Sequence, residues 1–337
     1  MSSPTRLSPD LFAKPAQHSA RVIAVALLQN VSTQFDAFVD DPAAGLHDLR
    51  VALRRLRTWL RAYRPELDDT VGKPTRRRTA KIARGTNEPR DVEAMREWIE
   101  TQDEFTSRER AGVRWLNDHL TREQRELAAE THKLLARRVP KLIATLSKEL
   151  EHYWLRCSID DLAEPTTMDL VTRDVLATQA QRIARAIGRI ESSDDARKIH
   201  RVRIAAKRLR YVLEAIEHAS AESLVERLTS LQDTLGASHD MHGMVNRIVR
   251  ELGEIGAHDA RLSALRVVHP DDQSDERARL ATLRPGLVAL STRAHEHERA
   301  TYESFRSIWN DERIASLVDE IKALGDELVA RNAQRND

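Results

Sequence analysis

Cysteine is nearly absent. Cys157 is the only one in 337 residues, which excludes an intrachain disulfide and a thiolate zinc site. Aromatic residues make up 4% of the chain, too few for a set of base-stacking platforms. Glycine numbers only 11, and no P-loop, Gly-rich phosphate cradle or nucleophile motif occurs. No apolar run approaches the ~18 residues of a membrane-spanning helix. The stretch MSSPTRLSPDLFAKPAQ lacks an apolar core behind a basic start, so no secretory signal is expected. The chain therefore reads as cytoplasmic, with no membrane partner, and no segment alternates in the manner of a strand.

What is present is charge and helix formers. The chain is 32% charged and 41% hydrophobic, rich in Arg, Ala, Leu and Glu, which favours an all-α protein of long amphipathic helices. Its length suits two ordinary domains or one large duplicated one. Net charge is only +1, yet the basic residues are gathered. Gly45 to Arg90 holds 13 Lys and Arg against 5 Asp and Glu, and Arg197 to Arg210 holds seven basic residues and no acidic one. Segregated charge in a nearly neutral chain implies a local anion site, not a uniformly sticky surface.

The gathering follows a repeat. HDLRVALRRLRTWLR, from His47 to Arg61, recurs as HRVRIAAKRLRYVLE from His200. Aligned without gaps, His47–Tyr63 and His200–Ile216 are identical at eight of 17 positions, so internal duplication sets the architecture. At roughly 100° per residue, His47, Arg50, Arg54, Arg57 and Arg61 share one helix face. Leu49, Leu53, Leu56, Leu60 and Tyr63 form a second stripe. The other copy places His200, Arg203, Lys207 and Arg210 on one stripe, and Val202, Ala206, Leu209, Leu213 and Ile216 on the other. Such a helix packs by its apolar seam and presents the cationic one. Like charges stacked at helical spacing repel. An ordinary solvated face would mix signs, so the pattern points to a densely anionic ligand.

Along the chain, residues 1–15 read as an arm, 16–156 as a first helical half, 157–167 as a connector, 168–310 as a second half, and 311–337 as a terminal helix and tail. Arg77, Lys81 and Arg84 continue the basic character on one face of a helix from Thr75. Breaks are expected before Pro140, at Gly236, between Leu252 and Ala257, and before Pro285. TNEPRDVEAM at 86–95 aligns with LGASHDMHGM at 235–244. Asp91 and Asp240 are thereby matched, and both are expected to cap helices. Arg55 and Arg208 lie off the cationic stripe, so a structural pairing with carboxylates such as Asp91 and Asp240 is expected of them.

His47-Asp48, His239-Asp240 and His258-Asp259 superficially suggest a metal phosphohydrolase. Such a site needs converging ligands, whereas Asp48 aligns with Arg201 and the dipeptides fall at unrelated places in the two halves. His295-Glu296-His297 lacks the i, i+4 spacing of a zinc helix. No metal, cofactor or catalytic group is assigned. His47 and His200 fit two roles equally, as phosphate donors that would strengthen binding at lower pH or as scaffold residues bonded to backbone or carboxylate.

These motifs resemble the CHAD family, the conserved histidine α-helical domain. Its pattern, H-x-x-R-x-x-x-R/K-R-L-R followed by an L-G-x-x-R-D-like turn, is met at His47–Arg57 and at His200–Arg210. Leu235-Gly236 with Asp240 matches the second turn, with Leu231-Gln232 before it. The first turn has Thr86-Asn87 where Leu-Gly is usual but keeps Arg90-Asp91, and His239 stands where arginine is common. The resemblance spans about residues 15 to 310. It implies two pseudo-symmetric four-helix bundles around a central basic pore or groove, and non-catalytic binding of inorganic polyphosphate, with targeting to polyphosphate granules or sensing of the polymer. The binding set would be His47, Arg50, Arg54, Arg57, Arg61, Arg77, Lys81, Arg84, Arg90, His200, Arg203, Lys207 and Arg210. Polyphosphate is a dense linear polyanion with no bases to read. Guanidinium forks suit it because they bridge oxygens bidentately and keep their charge among other cations. Other polyanions, a nucleic-acid backbone, or acidic helices of a protein partner are the alternatives.

Overall fold

The structure, a computed structural model, describes residues 6–152, 166–268 and 275–336. The connector expected at 157–167, Cys157 included, lies outside these apart from Thr166 and Thr167. The helices are α1 (Pro9–Phe12), α2 (Ala16–Asp40), α3 (Pro42–Ala62), α4 (Arg64–Leu67), α5 (Lys73–Arg84), α6 (Asn87–Glu100), α7 (Arg110–Glu151), α8 (Met168–Ile187), α9 (Ala196–Leu213), α10 (Ala219–Val268), α11 (Glu276–Ile308) and α12 (Asp311–Asn336). Among the described residues there is no strand, only the isolated bridges Leu7–Ile216 and Pro15–Thr167. The chain is all-α, as its composition implied.

The chain divides into two compact units. One comprises Met1–Asn87, Glu130–Asp233 and Ser307–Asp337, the other Glu88–Ala129 and Thr234–Arg306. Each draws on both halves of the sequence, and the first holds both basic helices, α3 and α9. In that unit α3 starts cleanly because the Asp41 side chain accepts from the amides of Ala43 and Ala44 at 3.1 and 3.2 Å, with Pro42 in the first turn. Its seam of Leu49, Leu53, Leu56 and Leu60 is buried. Two polar ties fix its rotation about its own axis. Trp59 Nε1 donates to the Ala20 carbonyl of α2 at 2.8 Å, and the Tyr63 hydroxyl lies 3.1 Å from Thr172 Oγ1 of α8. Gly45 lets α3 fold tightly back on α2, since a Cβ there would sit 2.5 Å from Phe38 Cα. By length and apolarity α2 would suffice to cross a membrane. Here it packs on α3 and α8 with Ala20, Ile23, Ala24, Leu27, Leu28 and Val31 buried.

The second unit closes around Val92, Ile99, Leu116, Leu120, Met241, Met244, Ile248, Leu283, Leu287 and Leu290. Its helices α7 and α11 cross where two glycines meet. A Cβ on Gly112 would lie 2.0 Å from the Leu283 carbonyl oxygen, and one on Gly286 would lie 2.1 Å from that of Glu109. Glycine is required there for backbone approach rather than for a turn.

Several expected helix ends are absent. α7 runs through Pro140, α11 through Pro285, and α10 continues past Gly236, Gly253 and Gly256. A proline inside a helix costs about 3 kcal/mol, but a buried Leu or Val contributes about 1.5–3 kcal/mol. Leu135, Val139, Leu142 and Leu146 are buried around Pro140, and Leu283, Leu287 and Leu290 around Pro285. The continuous apolar stripe outweighs the local break signal.

Candidate anion-binding site

The basic residues of the first unit are set by which helices pack. α5 lies on α3, α3 on α9, and α9 on α8, so four helices follow one another side by side. Arg84 comes from α5, Arg54, Arg57 and Arg61 from α3, Arg208 from α9 and Arg182 from α8. Arg57 is half-buried, and its guanidinium is held below the usual arginine range first by burial, then by Arg84, Arg61 and Arg54 around it. Arg208, also half-buried, is lowered further, to about 10, by burial and then by Arg61, Arg57 and Arg182. Cations thus depress one another across helices. Among the described residues no hydrogen bond or ion pair engages Arg57, Arg61, Arg84, Arg182 or Arg208. Arg77 and Lys81 are exposed along with Arg84 on the same side of α5. Arg54 is anchored, with Nη2 donating to Asn87 Oδ1 at 2.9 Å.

The remaining sequence-derived positions divide. His47 is exposed, Arg50 is buried at 7% exposure, and His200, Arg203 and Lys207 are half-buried. Arg210 is tied down: its Nε sits 3.2 Å from Glu214 Oε1, Nη1 donates to Thr229 Oγ1 at 3.4 Å, and the group lies over the Tyr211 ring. Arg90 belongs to the second unit and is matched by Glu93 and Glu97, both at 3.0 Å. Burial pulls its guanidinium down, but the hydrogen bonds to these two carboxylates outweigh that and raise it.

Three structural assignments need correction, while the carboxylate pairing expected of Arg55 holds, its Nε donating to Glu214 Oε2 at 2.8 Å. Arg208, expected to pair likewise, faces other arginines instead. Asp91 and Asp240 do not head helices. α6 already begins at Asn87, and Asp240 lies deep inside α10, whose helix passes straight through the expected turn.

Two contributors were not foreseen. Arg182 lies outside the repeated motif, although Arg182, Arg185 and Arg189 show the i, i+3, i+7 spacing that would have marked a third basic stripe. Glu214 aligns with Arg61, so the two copies carry opposite charge there, as they also do at Asp48 and Arg201. Of the His-Asp pairs, His258 and Asp259 are engaged separately, by Glu276 at 3.0 Å and Arg277 at 2.8 Å.

A helical chain built on a repeated basic helix, with unpaired guanidiniums gathered on one face, defines a narrow class. The model of the CHAD domain matches residues 23–249, and the chain belongs to that family, which is associated in general with polyphosphate binding and regarded as binding rather than catalytic. Among solved structures it is similar to the CHAD domain from the plant Ricinus communis, at 20% identity and a TM-score of 0.57, covering 86% of this chain and 94% of that one. It is also similar to PptA from Streptomyces chartreusis, at 12% identity and a TM-score of 0.56, covering 86% and 100%. No curated protein sequence matches the chain.

Proposed function

We propose that this chain binds inorganic polyphosphate, without hydrolysing it, on the face formed by α5, α3, α9 and α8, and that binding serves to place the protein at polyphosphate granules or to sense the polymer in the cytoplasm. One observation carries the reading: guanidiniums from four successive helices stand together with no carboxylate partner among the described residues. A cluster that raises its own electrostatic energy in this way is stabilised by an anion long enough to touch several members. The gathered groups are arginines, which bind and orient phosphate but supply neither a proton acceptor nor a nucleophile. Affinity should come largely from counterion release.

The test is a titration of the full chain with defined polyphosphate lengths, tripolyphosphate, DNA and RNA at two salt concentrations. Long polyphosphate should bind tightest. Replacing Arg57 and Arg84 by Glu should weaken it and lower the salt slope by about one for each guanidinium–phosphate pair removed. Arg50 is a poor position for such a test, because charge reversal at a buried site would disturb folding. Equal displacement of the polymer by DNA would favour a nucleic-acid backbone as ligand. Unchanged binding by the double variant would refute the site.

A further inference from the structure

The two basic helices touch through equivalent residues. Exchanging the two copies of the repeat turns Arg55 into Arg208, Arg57 into Arg210, and Glu214 into Arg61. The ion pair between Arg55 of α3 and Glu214 at the end of α9 therefore has a counterpart between Arg208 and Arg61, and the Arg210–Glu214 pair has one between Arg57 and Arg61. Arg208 does have Arg61 and Arg57 as charged neighbours, so the exchange holds in space as well as in sequence. This is the reciprocal pattern of an isologous interface. On one side two guanidiniums, Arg55 and Arg210, grip a carboxylate whose side chain is only 14% exposed. On the other side the matching guanidiniums, Arg208 and Arg57, surround a third cation.

We propose that Arg57 and Arg208 form an open clamp for a phosphoryl group, and that Glu214 is a built-in counter-ion that plugs the duplicate clamp, Arg55 with Arg210. The carboxylate on the filled side shows what the open side takes: a compact oxyanion held by two forks from different helices. Arg61 and Arg182 add charge for neighbouring phosphates. The chain then carries one place where a polymer is gripped firmly, flanked by the looser row on α5. At this contact between the two copies, the charge reversal of Glu214 against Arg61 makes the two clamps unequal. This inference rests on reading the face as a polyphosphate site and adds where on it the grip lies.

Calorimetric titration with tripolyphosphate at low salt tests it on the full chain, with long-chain polyphosphate run in parallel. Wild type should bind one tripolyphosphate. Glu214→Gln keeps the shape but frees Arg55 and Arg210, so stoichiometry should rise from one to two. Glu217→Gln removes an exposed charge nearby in sequence and should leave it at one. Arg61→Glu installs the missing plug, which should weaken binding about tenfold and raise the melting temperature above that of Arg61→Gln, which removes the charge without supplying a carboxylate. A folded Glu214→Gln variant that still binds one equivalent overturns the plug, as does Arg61→Glu melting below Arg61→Gln. If Glu214→Gln does not fold, the Arg61 pair decides alone. Wild type that binds only the long chain has no discrete clamp. Wild type that binds neither polymer refutes the polyphosphate reading itself.

Discussion

Replacing Arg208 with Met should make the protein more stable and a weaker binder at once. The guanidinium is depressed from the usual arginine range to about 10 by burial and by Arg61, Arg57 and Arg182, yet at neutral pH it remains charged in the folded chain. The penalty is therefore fully present, at about 3 kcal/mol for a shift of that size. Water at a half-buried group screens part of it, leaving about 1–2 kcal/mol. Methionine keeps an unbranched stem of similar reach, so little packing is lost. In a unit of this size a gain of that order raises the melting temperature by about 3–6 °C. Thermal unfolding at low salt, followed by circular dichroism, reads the shift directly. The gain should shrink at about 1 M salt, where charges are screened beyond about 3 Å, and only the desolvation part survives. Polyphosphate affinity of the same variant should drop. An Arg208→Met protein that melts below wild type at low salt, or binds as tightly, would refute the reasoning.

Two further outcomes follow from the second unit and from the entry to α9. Gly286→Ala should cost about 3 kcal/mol or more through its clash with the Glu109 backbone, whereas Gly253→Ala, with nothing within 4 Å, should gain about 0.5–1 kcal/mol; urea unfolding midpoints moving in the same direction for both would contradict the close crossing. Asp195 is held below the ordinary aspartate range first by the Glu191 amide, 2.8 Å from Oδ2, and then by Lys198. Its folded value lies below its unfolded one, so this support is present above about pH 4 and lost as pH falls through the folded value. An NMR titration midpoint for Asp195 at or above the ordinary aspartate range would count against that loop interaction.

The apolar seams of α3 and α9 were readable because burial follows helical period. Leu49, Leu53, Leu56 and Leu60 are all inside, and so are Val202, Ala206, Leu209 and Leu213. The arginine ladders were readable for the same reason. A helical wheel gives the direction of a side chain but not what stands opposite it. Hence Arg208, off the ladder by its angle, reads in sequence as a carboxylate's partner, while the packing of α3 on α9 sets arginines in front of it. Arg90 fails in the other direction, since its spacing from Glu93 and Glu97 neutralises it within its own helix. Pro140, Gly236 and Pro285 mislead because local propensity amounts to a few kcal/mol, and long helices packed along their whole length exceed it. Gly112 and Gly286 carry no sequence sign that they face each other.

Both basic helices sit in a single compact unit, and this bears on how a duplicated chain is inherited. A fragment ending at His152 would hold α2, α3 and α5 but neither α8 nor α9, leaving Tyr63 without Thr172 and Arg55 without Glu214. One copy of the repeat could then persist only by borrowing the same helices from a twin, as a homodimer. Within one chain the two copies need not match, so a glutamate at one of the two equivalent positions is not forced upon the other.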